Sequence, residues 1–360
     1  MDQPLHGMKV VEVAGGSSAA YCTHLLAGYG AEVVRVEGHG SSSWTLNDDE
    51  STYLLPGKRR ILLGAAPAGE LARLVGAADA VVLDGTPGRF DVAAWRQANP
   101  ALVAVTIAPF GQTGPDREQP ADDLIAFAAG GTLSLTGDPA STPLVTGGSQ
   151  AMYFAGLHAF SALLAAYYGA VVRGEGDWVD LSLQECLAGA LELYGPAAAH
   201  GEPAALRFGN YHRAVWAVYP CADGYAGVFC LERQVPALFA LIGDPVLQEE
   251  RFRDPLQRPA HDEELSAYVL SFMVDRTGDE LIRLGAEHRI PFGKVRTPAE
   301  LIAGPALHAR GFFDLVTTAD GHIVHVPGRP FVAFDWSGGG AVTAAEPAMA
   351  ATVAERWEAR

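Results

Sequence analysis

Val11–Glu37 reads VEVAGGSSAAYCTHLLAGYGAEVVRVE, and its reading decides the fold class. The apolar run KVVEV over Lys9–Val13 leads into Ala14-Gly15-Gly16-Ser17-Ser18. Leu25, Leu26 and Tyr29 then carry a helical pattern that Gly30 closes, and Ala31–Val36 (AEVVRV) resumes the apolar run. Strand, Gly-rich turn, helix, strand is a βαβ unit, and its strands are Val-rich, as buried parallel strands tend to be.

The alternation continues outward. Arg60–Leu63 reads as a weak strand and Ala66–Val75 as a helix. Ala80–Leu83 (AVVL) and Leu102–Ile107 (LVAVTI) read as strands with a helix over Ala93–Ala98 between them. Asp123–Gly130 and the stretch after Gln150 add helices, Trp178–Ser182 (WVDLS) adds a strand, and Leu183–Tyr194 adds a helix. This order predicts an α/β fold, a large doubly wound domain with a parallel sheet. After Ala197 the composition shifts. Gly201–Pro203 reads as a linker, and Trp216–Pro220 and Tyr225–Cys230 as a hairpin around Asp223-Gly224. Gln234–Ile242 and Glu263–Leu284 read as helices of a smaller α+β domain. Short strands with Gly turns follow from about Phe312 (HIVHVPGRPFVAF), and Ser337–Ala341 (SGGGA) is a short low-complexity run. The expected division is 1–200 for the large domain, 201–308 for the smaller one, and 309–360 for a return to the large domain.

With 360 residues, one core is strained and more than one domain is expected. The net charge of −17 excludes a nucleic-acid binder, which needs clustered Lys and Arg, and 49% hydrophobic content excludes disorder. Cys22, Cys186, Cys221 and Cys230 form no CxxC, so they read as buried thiols of a reducing compartment. The N-terminal MDQPLHGMKV carries no secretory pattern, and the expected location is cytoplasmic. Ala151–Val172 holds no Asp, Glu, Lys or Arg and is long enough to span a bilayer. His158, Ser161, its Gly and Tyr residues and the lack of a second span favour a buried core helix instead.

Several residues carry two readings. Gly15-Gly16-Ser17-Ser18 is either a plain tight turn or a phosphate cradle at a helix N-terminus. Lys58-Arg59-Arg60 is either a solvated charge run or a phosphate clamp. In Asp122-Asp123, after Pro120, Asp123 is expected to cap the helix and Asp122 to face a cleft. His212, within Asn210-Tyr211-His212-Arg213, and Glu232, after the strand Ala226–Leu231, are each structural by default and catalytic candidates by position. No GxSxG, HExxH or metal-spaced carboxylate cluster appears, so no metal is expected.

Val11–Glu37 resembles, without a gap, the N-terminal signature of the class III CoA-transferases (the CaiB/BaiF type). That family includes formyl-CoA transferase, carnitine CoA-transferase and 2-methylacyl-CoA racemase. The likeness recurs at Gly57–Arg60, Asn99–Val103 (NPALV), Phe110–Pro115 (FGQTGP), Asp123–Gly137 (DLIAFAAGGTLSLTG) and Gly174–Ser182 (GEGDWVDLS). It continues at Gly209–His212 (GNYH), Ala222–Gly224, Arg289–Pro291 and Ala309–Phe313 (ARGFF), so it covers roughly Gly7–Phe313. The resemblance implies an interlocked homodimer that binds coenzyme A as an acyl-CoA substrate, together with a carboxylic acid acceptor. It implies that Arg35, Lys58 and Arg59 hold CoA phosphates. In the transferases an Asp attacks the thioester, an acyl-aspartyl anhydride forms, CoA attacks it, and the acid leaves. In the racemases the same Asp pairs with a His to move the α-proton. That Asp lies in a stretch of the form Ala-Asp-Tyr-x-Ala-Gly-Leu, which reads Ala151-Met152-Tyr153-Phe154-Ala155-Gly156-Leu157 here, so its position holds Met152. A thioether serves neither as acyl acceptor nor as proton carrier. The racemase His position holds Asp122, and a racemase Glu resembles Glu232. The segment touching the adenosine side is degraded to Asp84-Gly85-Thr86-Pro87-Gly88. Three outcomes stay open: CoA transfer through another carboxylate, α-proton chemistry by Asp122 with Glu232 or His212, or a non-catalytic CoA-binding subunit paired with a catalytic paralogue.

Overall fold

A computed structural model describes residues 3–38, 44–62, 68–85, 87–191, 193–201, 207–318, 320–332 and 350–359. Thr86, part of the Gly201–Pro203 linker, the end of the HIVHVPGRPFVAF run and Ser337–Ala341 lie outside the described residues. The chain divides into two compact units. One comprises Met1–Ser134, Val145–Ala204 and Pro305–Arg360, and the other Leu135–Leu144 and Ala205–Gly304.

In the first unit, β1 (Lys9–Val13), α1 (Ser17–Gly28), β2 (Glu32–Glu37), α2 (Asp48–Leu54), β3 (Arg59–Leu62), α3 (Ala68–Gly76), β4 (Ala80–Asp84), α4 (Val92–Ala98) and β5 (Val103–Ala108) alternate along the chain. Next come α5 (Asp123–Ala129), α6 (Gln150–Arg173), β6 (Trp178–Ser182), α7 (Leu183–Ala188) and α8 (Tyr194–Ala199). The strands form one parallel sheet in the order β3-β2-β1-β4-β5-β6. Order reverses at β1, and such a switch point opens a crevice at the carboxyl ends of the strands. Val10, Val82, Val105 and Ile107 pack on α1 and α6 on one face of the sheet. On the other face Val11, Val34, Val81 and Leu102 pack on Leu71 and Leu74 of α3.

The α6 helix is long and apolar enough to cross a membrane. Ala151, Met152, Ala155, Ala159 and Leu163 nevertheless turn one face into the core. The sequence placed a single helix over Leu183–Tyr194. It ends instead at Gly189, where a Cβ-free residue weakens the helix, and α8 starts separately.

The second unit holds β7 (Tyr211–Arg213), β8 (Trp216–Cys221), β9 (Gly224–Phe229), α9 (Val235–Ile242), α10 (Glu250–Arg253), α11 (Asp262–Val274), α12 (Gly278–His288), β10 (Phe292–Lys294) and α13 (Pro298–Ala303). Its antiparallel sheet runs β10-β9-β8-β7. The one helix expected over Glu263–Leu284 is two, because Thr277 and Glu280 form a capping box that starts α12 afresh. The chain then returns to the first unit with α14 (Pro305–Ala309), β11 (Phe313–Thr317), β12 (Ile323–Pro327) and α15 (Ala350–Glu358), whose Trp357 is buried against the α3 face of the sheet.

Candidate functional site

Strands β1 and β2 are buried, yet each carries a charge. Parallel register sets Glu12 directly beside Arg35. A buried ion needs a partner, since desolvation alone costs several kcal/mol. Glu12 is fully buried and meets Arg35 Nη1 through Oε1 and the Lys58 ammonium, at 3.0 Å, through Oε2. Lys58 also donates to Ala20 O and Thr23 Oγ1, each at 2.7 Å, and Thr23 Oγ1 donates to Glu12 Oε2 at 2.7 Å. Burial alone would raise the Glu12 carboxyl, but Arg35, Lys58 and the hydrogen bonds outweigh it and hold the group down at about 2. Burial lowers Lys58 to about 8, only partly countered by Glu12. The expectation for Lys58 is therefore corrected: all three ammonium protons are engaged inside the core, and none faces a phosphate.

Arg35 differs. It is 6% exposed, and its Nε is buried without a hydrogen-bond partner among the described residues; Glu37 Oε1 lies 3.5 Å away. Arg35 lines a cavity of about 370 Å³ at the carboxyl ends of β1 and β2, with Gly15, Glu37, Trp44, Arg60 and Arg89 also in its wall. Arg60 grips Glu37 through two 2.9 Å bonds. Of the charged groups in this wall, Arg35, Arg60 and Arg89 stand beside Glu37, and Arg35 is also paired with the buried Glu12. Arg59 is not among the lining residues; it lies 3.8 Å from Glu32. Sequence reasoning missed Arg89, which directly follows the segment it read as degraded.

The Gly15–Gly16 turn opens α1, but its amides are already bonded. Gly15 N–H and Gly16 N–H donate to the two Asp84 oxygens at 2.9 and 2.7 Å. Gly16 fits because a Cβ there would stand 2.9 Å from both Asp84 Oδ2 and Trp44 Cβ. Burial raises Asp84 to about 6 in spite of these bonds. An internal carboxylate thus fills the cradle expected for phosphate, and Gly15 keeps only its place in the cavity wall.

The two acids at the start of α5 exchange their expected roles. Asp122 is the cap, its Oδ1 accepting from Ile125 N–H at 3.1 Å. Asp123 turns to α6, its Oδ1 accepting from Met152 N–H at 3.1 Å. Met152 is itself buried. In the second unit, His212 and Glu232 line one pocket of about 260 Å³ together with Arg213, Arg258 and Asp262. Both Glu232 oxygens are bound by Arg258 Nη1, at 2.8 and 2.7 Å. His212 is held edge-on between Phe208 and Trp216. Among the described residues no cluster of three or more His, Cys, Asp or Glu could hold a metal, and all four cysteines are buried free thiols.

Residues 5–351 match the family described as CoA-transferase family III. The chain belongs to that family. The family III chain is 27% identical over 349 residues to the succinate–glutarate CoA-transferase of Agrobacterium fabrum, covering 89% of this chain and 87% of that one. It is 31% identical over 348 residues to a probable CoA-transferase of Mycobacterium tuberculosis, covering 89% of this chain but only 43% of the relative, so it spans less than half of that protein's length. Among solved structures, a CaiB/BaiF family protein from Brucella suis superposes with a TM-score of 0.83 at 26% identity, covering 99% of this chain and 100% of that one.

Proposed function

We propose that this family III protein moves CoA between an acyl-CoA and a free carboxylic acid, with CoA's phosphates seated against Arg35, Arg60 and Arg89. The observation that carries this reading is the Arg35 side chain. It is buried and charged, its Nε–H makes no hydrogen bond to a described residue though Glu37 Oε1 stands 3.5 Å away, and it lies in the wall of a cavity at the strand ends. A guanidinium fork suits phosphate. Calorimetric titration with CoA tests the reading. Folded Arg35→Gln, matched to the wild type by circular dichroism, is expected to lose at least ~10-fold in affinity, on the scale of one charge-assisted hydrogen bond. Unchanged affinity overturns the placement. Solvent deuterium appearing at C2 of a bound acyl-CoA would assign α-proton chemistry to the same site instead.

A second reading is supported by Met152 and by a relative named as a succinyl-CoA–L-malate CoA-transferase beta subunit, 25% identical over 335 residues. In that reading the chain binds CoA while a paralogue supplies the reacting carboxylate. Full transferase turnover by the purified chain alone excludes it. The functional unit in the first reading is a homodimer, which suits the exposed apolar side chains of Tyr168, Val171 and Val172 on α6.

A further inference from the structure

The antiparallel sheet of the second unit buries one face and opens the other. Ala217, Tyr219, Ala226 and Val228 turn into the core. Their neighbours along each strand point the opposite way, since side chains alternate. Register sorts that outer face into three cross-strand rows. Trp216 pairs with Phe229, whose N–H donates to Pro291 O at 3.1 Å. Val218 pairs with Gly227, and Gly227 with Gly293. Pro220 pairs with Tyr225, and Val295 N–H donates to Tyr225 O at 2.9 Å. Two bulky rows thus flank a row that is bare on β9 and β10, and strand rise sets the flanking rows roughly 13 Å apart. Neither glycine is required by the backbone or by packing. Neither φ lies in the left-handed region. A Cβ on Gly293 would meet no described atom within 4 Å, and one on Gly227 only carbonyl oxygens at 3.8 and 4.0 Å, which is ordinary contact. Glycine weakens a strand interior, and where the fold does not demand it, it marks a surface that something approaches closely. The two glycines line a cavity of about 470 Å³. Trp216 and Phe229 wall it, their rings 4.9 Å apart and near perpendicular, and His212 stands edge-on to Trp216 at 4.5 Å. Asn210 and His212, also in the wall, have side chains without a hydrogen bond among the described residues, and His212 Nδ1 is buried. The described lining residues include no Asp, Glu, Lys or Arg.

We propose that this trough is a binding site for a flat, uncharged aromatic or heteroaromatic ring, seated on the Gly227–Gly293 backbone with its polar edge toward Asn210 and His212. A ring matches each feature of the place. Its face needs a floor without side chains, which the glycine pair offers. Its edges meet Trp216 and Phe229 in the manner that aromatic groups prefer. With no charged residue in the described wall, a carboxylate or phosphate would lose its hydration and gain no partner, so an uncharged ring is what enters. The volume suits a small molecule. A peptide strand fits less well, because strand addition uses a sheet edge and the glycine row lies across the face. The site lies wholly within the second unit, so it stands whether or not CoA sits against Arg35. A nucleobase and an aryl group share this chemistry.

The test titrates the full chain calorimetrically with three uncharged probes: adenosine, benzamide and cyclohexanecarboxamide. Benzamide is expected to bind at least ~10-fold more tightly than cyclohexanecarboxamide, which carries the same amide on a puckered ring with no flat face. Gly293→Val is the deciding variant. With open space at its Cβ and a β-branched residue suited to a strand, it is expected to keep the urea midpoint of the wild type or raise it. By filling the floor it is expected to cost a flat probe at least ~10-fold in affinity. The flat probe that it weakens names the source, adenosine a nucleobase and benzamide an aryl group. Binding of neither flat probe, equal binding of the flat and puckered amides, or affinity for both flat probes untouched by Gly293→Val overturns the proposal. So does a changed oligomeric state of Gly293→Val in sedimentation velocity, which gives the face to a second copy of the chain. If that variant does not fold, the half-exposed Trp216 takes its place: Trp216→Ala is expected to weaken a flat probe and leave cyclohexanecarboxamide unchanged, and equal effects on both overturn the proposal.

Discussion

Glu12 shows how a single residue ties the fold to its site. Its carboxylate holds Arg35 on the cavity side and Lys58 in the core. Glu12→Gln strands two buried cations and is expected to cost about 3–5 kcal/mol in urea unfolding. The pH signature has a defined sign. A depressed carboxyl contributes stability in full above its ordinary value of about 4.3 and loses it as pH falls toward about 2. The wild type is expected to lose stability across that window, and Glu12→Gln to lose less. Asp84 works the other way. Its carboxyl is raised to about 6, so its contribution is complete below an ordinary value of about 3.9 and is lost as pH rises through about 6. Asp84→Asn is expected to flatten the stability curve between those values; an unchanged slope in urea melts would remove Asp84 as its source. Glu12 and Arg35 stand in the runs KVVEV and AEVVRV, which were read only as apolar strands, and a buried charge there needs a partner. Which partners could not be read, because Lys58 reaches Glu12 across 46 positions of chain and the choice between core and ligand depends on side-chain direction. The same limit applied to Asp122 and Asp123: adjacent acids in sequence, pointing to different helices in space.

Among the elements, α1 and α6 set the site by packing closely. Gly156 lets them meet, since a Cβ there would lie 2.5 Å from Ser18 O and 3.1 Å from Tyr21 Cβ. Gly156→Ala is expected to destabilise by about 1–3 kcal/mol through overpacking, measured as a lowered urea midpoint, and to weaken CoA-dependent turnover by shifting the N-terminus of α6. Equal stability would mean the two helices separate without cost. The alternating strands and helices of the first unit were legible because Val-rich runs and Gly turns fall at regular intervals. Two short helices were not read from the sequence although their caps stand in it: Asn47–Glu50 for α2 and Thr297–Glu300 for α13 each form a capping box. These helices have short apolar faces, so periodicity passed over them, and the caps carried the signal.

For the whole molecule, the acidic surface and the basic cavity act at different ranges. A net charge of −17 repels polyanions at a distance, while in the proposed seating Arg35, Arg60 and Arg89 would act on a ligand already in place. Raising salt is therefore expected to change CoA affinity only modestly, because the Arg35 contact is buried and little screened. A steep fall with salt, measured by titration from low to high ionic strength, would place CoA on an exposed surface instead. The outer face of α6 carries the homodimer reading, which sedimentation velocity of the purified chain tests: a single dimeric species is expected, and a monomer at all concentrations counts against it. The central claim, that this family III chain seats CoA at the carboxyl ends of β1 and β2, is met most directly by a crystal structure of the full chain grown with saturating CoA. The expected result is a CoA phosphate oxygen within hydrogen-bond distance of Arg35 Nε, with Gly15–Gly16 still bound to Asp84. Density for CoA at any other place, or phosphate on the Gly15–Gly16 amides with Asp84 displaced, would contradict it.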